Sequence, residues 1–212
     1  LNAINAVYDV LCYVDAYKSS VWLTQDVASD DCNVRSTIND PYLKAFQYYT
    51  IDANNSYLAG IWQAAYLGIG RANIVLDKVP PIDMDSAVQQ RVLGEAHFLR
   101  ALFYFNLVRI YGDVPLILKP TSADLTPEEI YPSRTPASEV YDQIIIDLNK
   151  ASDQLPDAYS SPADKGRATS GAALGILSKV YLTQQDWANA RNTALSVMEM
   201  GIYSLWPDYT YN

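Results

Sequence analysis

Apolar residues recur at three- and four-residue steps along almost the whole chain of 212 residues. The first segment, for example, places Ile4, Val7, Leu11 and Val14 on one side of a helix. No stretch of useful length alternates between apolar and polar residues, as a half-buried strand would. The sequence therefore predicts an all-α fold, with helices over about 2–17, 55–79, 84–111, 136–155, 169–182 and 186–201.

The predicted helix ends coincide with residues of known conformational preference. Gly112 lies where a helix commonly ends on a residue with positive φ, and Pro115 prevents the helix from restarting. The proline-containing stretch 112–135 is predicted to be an irregular connection, with one short helical turn at "TPEEIY". Capping residues then predict two further helix starts, at Thr135-Pro136 and Thr169, and the last helix is predicted to begin at Asp186 or Trp187.

The stretch "GEAHFLRALFYFNLVRIYGDVP", residues 94–115, carries two neighbouring apolar stripes. Such a wide face suits a middle helix that is covered by other helices on two sides. We therefore predict that its aromatic residues, Phe103 among them, form core rather than line a ligand groove. The pairs Arg91/Glu95 and Arg109/Asp113 are expected on the sides of this helix that remain exposed to solvent.

The last two predicted helices show the spacing of a tetratricopeptide repeat. A short turn joins the two helices. A small residue on the second helix would let the first approach closely, as in such repeats. The residues that carry this spacing are Leu174, Leu177 and Tyr181 on the first helix and Ala190, Ala194 and Val197 on the second.

Composition argues against several classes of function. The net charge of −9, with no compensating cluster of Lys or Arg, argues against nucleic acid binding. Two cysteines and one histidine, His97, provide neither a disulfide framework nor a metal site, and no cofactor is predicted. The first 25 residues do not resemble a signal peptide, and no apolar run is long enough to span a membrane. The chain resembles an internal segment of a longer protein.

No catalytic constellation is present either. His97 lies among Phe and Leu, far from any nucleophile at a meaningful spacing, which predicts a hydrogen-bonded interior or edge histidine. Glu95 and Asp113 are too far apart along one helix for glycoside hydrolysis. Gly68-Ile-Gly70 lies inside a helix and is predicted to permit a close helix crossing rather than to bind phosphate.

Five blocks of sequence follow one another in an order that resembles the N-terminal part of the SusD-like (RagB/SusD) family. The most specific is "EAHFLRALFYFNLVRIYGDVP", and the resemblance covers roughly residues 20–206. The blocks are "RANIVLDKV", "GEAHFLRALFYFNLVRIYGDVPLI", "TPASEVYDQIIIDLNKASDQLP", "GRATSGAALGILSKVYL" and "DWANARNTALSVMEMGIYSL".

This resemblance implies a scaffold of repeat-like helix pairs that supports a loop-rich ligand surface. It implies a non-catalytic protein that binds oligosaccharides or polysaccharides and passes them to a SusC-like TonB-dependent transporter. It also implies a surface lipoprotein of the outer membrane, attached by an N-terminal lipid anchor that this chain lacks. Family members are longer, so residues 1–212 correspond to the N-terminal helical region, and part of the ligand surface would lie outside them.

The polar segment 24–42 is the candidate ligand segment. Its planar donors and acceptors could bind neighbouring sugar hydroxyls, and the family resemblance implies that the loop after the first helices contributes to the glycan surface. Nearby rings could stack on a sugar, among them Phe46, Tyr48 and Tyr49; an ordinary solvated loop is the alternative. The candidate residues are Asp31, Asn33, Arg35, Asn39, Asp40 and Tyr42.

A tetratricopeptide scaffold that binds a peptide in its helical groove is the rival interpretation. The two differ in where exposed aromatic side chains should lie. A glycan-binding protein should present them on a loop surface, and a peptide-binding scaffold should present them along a helix face.

Overall fold

The structure, a computed structural model, describes residues 1–122 and 125–204. The described residues form helices joined by turns and loops, and their only strand-like pairing is an isolated bridge between Val114 and Thr135. The predicted all-α fold is confirmed. The helices are α1 (Asn2–Leu11), a π-helical turn (Val14–Lys18), α2 (Ser20–Val27), α3 (Pro41–Gln47), α4 (Ser56–Lys78), α5 (Ser86–Tyr111), α6 (Pro127–Ile130), α7 (Ala137–Gln154), a 3-10 turn (Pro162–Asp164), α8 (Ser170–Thr183) and α9 (Trp187–Glu199).

Side-chain caps define the starts of the long helices. The side chains of Asn55 and Asp85 accept backbone N–H bonds at the starts of α4 and α5. Thr169 caps α8 in the same way, as predicted, and Asp186 caps α9, which begins at Trp187, one of the two predicted starts. Such caps stabilise a helix by about 1 kcal/mol because they satisfy N–H groups that have no partner within the helix. The short α6 has a complete capping box between Thr126 and Glu129.

Two predicted boundaries are wrong. The helix predicted over 2–17 ends at Leu11, and Tyr13 is extended before the π-helical turn begins. The break buries Ala16 in the core and leaves Val14, which the periodicity had assigned to the apolar side, 55% exposed. Since the break satisfies tertiary packing rather than local preference, periodicity alone could not reveal it.

The start of α7 also differs from the prediction. Thr135 is paired with Val114 through two backbone hydrogen bonds of 3.0 and 3.2 Å and does not cap the helix. Instead, the Asp113 carboxylate accepts the N–H of Ala137 at 2.8 Å. Asp113 therefore caps α7 and does not pair with Arg109, whose guanidinium bonds to Asn106 at 3.0 Å.

Helix α5 lies at the centre of the main core, between α4 and α7. All of its residues from Gly94 to Val108 are buried except Leu102, which is partly buried. Phe103 is 3% exposed, so the prediction that the 94–115 stretch forms core is confirmed. Helix α1 packs on α4, while α7, α8 and α9 follow as consecutive neighbours.

Gly68 permits the close crossing of α4 over α5. A methyl group at this position would lie 2.5 Å from Cζ and 2.7 Å from Cδ2 of the Phe103 ring, and closer still to Cε2. A Cβ at Gly70 would meet nothing within 4 Å. The sequence-based prediction of a close crossing is thus correct for Gly68 and does not apply to Gly70.

The α8/α9 pair packs as a repeat-like unit. Leu177 and Ala190 are both buried, and the Ser178 hydroxyl donates to the backbone carbonyl of Ala190 at 2.8 Å. Ala194 and Val197, predicted on the same face of α9, are exposed and partly exposed, so only the start of this face is buried against α8. The predicted tetratricopeptide-like pairing therefore describes how α8 meets α9.

A buried polar cluster links α4, α5 and α7. Asp147 accepts hydrogen bonds from Arg100 at 2.7 and 2.8 Å and is 2.9 Å from Nδ1 of His97. Arg100 also donates to Asn73 at 2.9 Å. Burial by itself would raise the pKa of Asp147, but the hydrogen bonds from His97 and Arg100 outweigh it and lower that pKa. His97 is therefore the hydrogen-bonded interior histidine that the sequence predicts.

The prediction that Glu95 lies on a solvent-exposed side of its helix is wrong. Its side chain is fully buried and pairs with Arg167 at 3.2 Å, not with Arg91 four residues earlier. Tyr159 also donates to it, at 3.3 Å. Burial raises the pKa of Glu95, against the lowering effect of the nearby arginines. The partner lies far along the chain, which is why helical spacing gave the wrong pairing.

Side chains of α4 and α5 hold the irregular connection after Gly112, which has the predicted positive φ of 69°. The hydroxyl of Tyr104 donates to the carbonyl of Ile117 at 2.9 Å and accepts the N–H of the same residue at 2.7 Å. Asn73 also donates to the Ile117 carbonyl, and Tyr66 donates to that of Pro115. The first part of this connection is therefore fixed against the helices.

Candidate functional site

The candidate ligand segment begins later than predicted. Residues 24–27 belong to α2, where the buried Thr24 hydroxyl donates to the Ser20 carbonyl at 2.7 Å. The non-helical part, residues 28–40, is called the 28–40 loop below, and α3 follows it directly. Thr24 and its neighbours are helical because α2 packs against α4 and the π-helical turn, a tertiary effect that the polar composition of the segment hides.

A small second core lies beneath the 28–40 loop. Val34 is the loop residue that enters it, and Phe46 of α3 is 5% exposed, so its ring cannot stack on a sugar as predicted. The periodic spacing of α3 turns Phe46 inward with Leu43. This second core consists of Val27, Val34, Leu43 and Phe46, with Leu23, Ala28, Tyr57 and Leu58 packed around it.

Hydrogen bonds fix the backbone around the 28–40 loop. The N–H of Val34 donates to the side-chain carbonyl of Gln47 at 2.9 Å. The Tyr49 hydroxyl donates to the carbonyl of Ala28 at 2.6 Å, and Asn55 donates to that of Tyr42 at 2.9 Å. Tyr49 adopts a φ of 53°, which is uncommon for a residue with a side chain. The loop thus has a defined shape although it is exposed.

Asp40 has a structural role. One carboxylate oxygen accepts the N–H of Leu43 at 2.9 Å and so caps α3, and the other accepts the hydroxyl of Tyr57 at 2.7 Å. The Leu43 N–H is the main cause that lowers the pKa of Asp40, while burial and the Asp40 hydrogen bond raise the pKa of Tyr57 to about 12. Because both oxygens are engaged, Asp40 holds the loop on α3 and α4 and is the weakest of the predicted ligand residues.

The other five candidate residues are exposed. None of their side chains forms a hydrogen bond with any part of the chain that the structure describes. Their polar groups are therefore available to a ligand, on a backbone whose position is set by the contacts above. These residues are Asp31, Asn33, Arg35, Asn39 and Tyr42.

Two further tyrosines lie at the end of α3. Tyr48 is 63% exposed and Tyr49 is 74% exposed. Since the Tyr49 hydroxyl is tied to Ala28, its ring is held in place beside the loop. With Tyr42 at the start of α3, three exposed rings accompany the polar side chains of the loop.

Metal binding or activation of a nucleophile would require particular groupings of side chains among the described residues. Within residues 1–122 and 125–204, no group of three or more His, Cys, Asp or Glu residues could hold a metal ion. His97 and Asp147 are hydrogen-bonded, but no described serine or cysteine bonds to the histidine. Among the same residues, no helix has the length and apolar character to cross a bilayer.

Comparison with known proteins identifies relatives along most of the chain. Residues 2–182 match the SusD-like family described as "Starch-binding associating with outer membrane". SusD-like protein P2 of Formosa agariphila is 32% identical over 196 residues, which are 92% of this chain and 38% of that protein. A SusD-like protein of Bacteroides ovatus is 38% identical over 154 residues, 71% of this chain and 26% of that protein.

Solved structures agree with these sequence matches. A laminarin-binding SusD-like protein superposes with a TM-score of 0.80 at 36% identity, covering 91% of this chain and 41% of that one. A SusD homologue from Bacteroides thetaiotaomicron superposes with a TM-score of 0.85 at 27% identity, and the match covers 99% of this chain and 42% of that one. The chain spans less than half the length of these relatives. On the family match, the sequence identity and the shared helical scaffold, the chain belongs to the SusD-like family.

Proposed function

We propose that this chain is part of a non-catalytic, cell-surface protein that binds oligosaccharides or polysaccharides through the 28–40 loop. One observation carries the proposal. Five polar or aromatic side chains bond to no described residue, yet the backbone that carries them is fixed by Gln47, Tyr49 and Asn55. Because the backbone is already fixed, binding does not incur the cost of ordering the loop, and only the side chains lose rotamer freedom when a sugar binds.

The chemistry of these side chains fits carbohydrate. The Arg35 guanidinium offers a planar fork of donors to adjacent hydroxyl oxygens, and Asn33 offers both a donor and an acceptor two residues earlier. Tyr42, Tyr48 and Tyr49 are exposed at the two ends of α3, the helix that directly follows the loop. Exposed rings next to this polar loop support glycan binding, while the exposed rings of Trp22 on α2 and Trp187 on α9 are what the peptide-binding interpretation expects.

The transport role is part of the same proposal. The family description refers to starch binding and to association with the outer membrane, and one relative is named for binding laminarin. We propose that the complete protein is an outer-membrane surface lipoprotein and delivers its glycan to a SusC-like TonB-dependent transporter. The 28–40 loop would supply part of the ligand surface, and residues outside this chain would supply the rest.

Arg35→Ala tests the loop. In the full-length protein, we expect calorimetric titration with the oligosaccharide that binds best in a panel including laminarin fragments to show about tenfold weaker binding. The reason is that a hydrogen bond from a charged donor is worth about 1.5–3 kcal/mol. Arg191→Ala on α9 removes the same exposed side chain away from the loop and serves as control. Wild-type affinity in a folded Arg35→Ala protein would show that the loop is merely solvated.

A further inference from the structure

A second surface, on the other side of α2 from the small core, has the features of a ligand site. It is a groove of about 490 Å³ between α2, α5 and α8, within the ~300–1,000 Å³ typical of small-molecule sites. We call it the α2–α5–α8 groove. The residues used in the argument below are Tyr17, Trp22, Gln25, Asn106, Arg109 and Lys179, all of which line it.

The charge of this groove is opposite to that of the protein. The chain carries a net charge of −9, yet no Asp or Glu lines the groove, while Arg109 and Lys179 both do. Neither cation has a carboxylate partner within 4.0 Å among residues 1–122 and 125–204. Two unpaired cations attract an anion, and no carboxylate within the groove counteracts them at short range, although the rest of the chain is acidic.

Arg109 is held in position without being neutralised. Its Nε donates to the Phe105 carbonyl at 3.2 Å, one Nη2 hydrogen reaches Asn106 at 3.0 Å, and its guanidinium lies 4.2 Å from the Phe105 ring centroid. Both hydrogens on Nη1 bond to no described residue. A guanidinium fixed in this way can make charge-assisted hydrogen bonds to a carboxylate or sulfate.

The groove also has an aromatic wall. Trp22 is 49% exposed, and its indole N–H donates to the Lys18 carbonyl at 3.2 Å, which limits rotation of the ring. Tyr17 is fixed by the Asn106 amide, which donates to its hydroxyl at 2.8 Å. Gln25, on the next turn of α2, adds an exposed amide. An oriented aromatic ring beside amides and cations suits a ligand with an apolar ring face and a negative charge.

We infer that the α2–α5–α8 groove binds a sugar ring that carries a carboxylate or sulfate, with Trp22 stacking on the ring and Arg109 and Lys179 binding the anionic group. The inference depends on the proposed function in one respect, namely that the protein binds glycans. It adds a second site, distinct from the 28–40 loop, and a preference for acidic sugars there.

The test compares three probes by calorimetric titration of the complete protein to which this chain belongs: a trigalacturonide, a sulfated carrageenan oligosaccharide and neutral laminaritriose. We expect at least one acidic probe to bind. Its affinity should fall about tenfold in the Arg109→Gln variant and, separately, about tenfold in the Lys179→Gln variant. Added salt should weaken this binding, because partly exposed charges are screened. Trp22→Phe should retain more affinity than Trp22→Ala.

Lys150→Gln is the matched control, since it removes one exposed positive charge from α7, which does not line the groove. It should leave binding of the acidic probe unchanged, and unchanged helical circular dichroism should accompany every variant. Unaltered acidic-probe binding in both Arg109→Gln and Lys179→Gln would overturn the inference.

The outcomes also separate the two proposals. If the neutral sugar binds, if this binding is lost in Arg35→Ala, and if neither acidic probe binds, the inference about the groove is refuted and the proposed function remains supported. A groove that serves instead to contact another polypeptide would give this same result. Absence of binding by every sugar in the panel would count against both.

Discussion

Replacing Gly68 with alanine should destabilise the protein, although alanine favours helix more than glycine does. In an exposed helix interior the change would gain about 1 kcal/mol. Here the new methyl group would lie 2.5 Å from Cζ of Phe103 and closer to Cε2, both far inside normal contact distance. Because Phe103 is 3% exposed and surrounded by core residues, its ring has little room to move.

The net magnitude follows from these two opposing effects. Overpacking a well-filled core costs about 1–3 kcal/mol, and three ring atoms within 2.7 Å place this case at the upper end. After the helix-propensity gain of about 1 kcal/mol is subtracted, Gly68→Ala should lower the free energy of unfolding by about 2 kcal/mol. For a domain of this size that corresponds to a melting temperature lower by about 4–8 °C.

Gly70→Ala is the internal control, two residues along the same helix. A Cβ there meets nothing within 4 Å, so this variant should be more stable than the wild type by up to about 1 kcal/mol. Urea unfolding followed by helical circular dichroism measures both. In a Phe103→Leu background, Gly68→Ala should cost less, because the ring it strikes is absent. Equal stability of the two alanine variants would refute the close-crossing argument.

Three further predictions concern the core and the absence of catalysis. Phe103→Ala should lower the free energy of unfolding by about 3–5 kcal/mol, since it empties a buried aromatic site; an unchanged melting temperature would contradict its place in the core. The pKa of Asp147 is lowered on folding, so its stabilising effect is present above its unfolded value of about 4 and is lost as the pH falls below it. Asp147→Asn should therefore flatten the acid side of the stability–pH profile, and a profile as steep as that of the wild type would argue against this role. Finally, incubation with a panel of polysaccharides should release no reducing ends above a buffer control, and reproducible release would disprove the non-catalytic assignment.

Local features of this fold were predictable because their causes are local. Thr169 and Asp186 cap helices through bonds to residues three positions away, so the sequence alone identifies them. The core position of Phe103 followed from the breadth of the apolar face around it.

Pairings between distant segments could not be predicted in this way. Glu95 meets Arg167 across 72 residues, and a closer arginine at helical spacing suggested the wrong partner. Asp147 joins His97 across 50 residues, although nothing in either local pattern points to the other. The α2–α5–α8 groove is likewise assembled from helices far apart in sequence, so its unpaired cations become visible only once the helices have packed.

Within the candidate ligand segment, the sequence identified the exposed polar residues but not what supports them. In the sequence, Phe46 cannot be distinguished from the aromatic residues near it. Only the packing of α3 on the second core shows that it is buried. The sequence suggests that Asp40 is an ordinary polar loop residue. In the structure it accepts a hydrogen bond from the hydroxyl of Tyr57, which lies 17 residues further along the chain. Whether a polar residue supports a loop or faces a ligand depends on such partners.

The bonds between Tyr104 and Ile117 have a consequence for how this protein opens locally. A single tyrosine hydroxyl serves both the N–H and the carbonyl of Ile117, a role that a neighbouring strand would otherwise fill. Since Tyr104 is fully buried in α5, its hydroxyl is held in a fixed place, and release of Ile117 would leave that hydroxyl without its two partners in the connection. We therefore expect residues 114–119 to open together with the central helices, and amide exchange at Ile117 to be slow although it lies in no helix or strand.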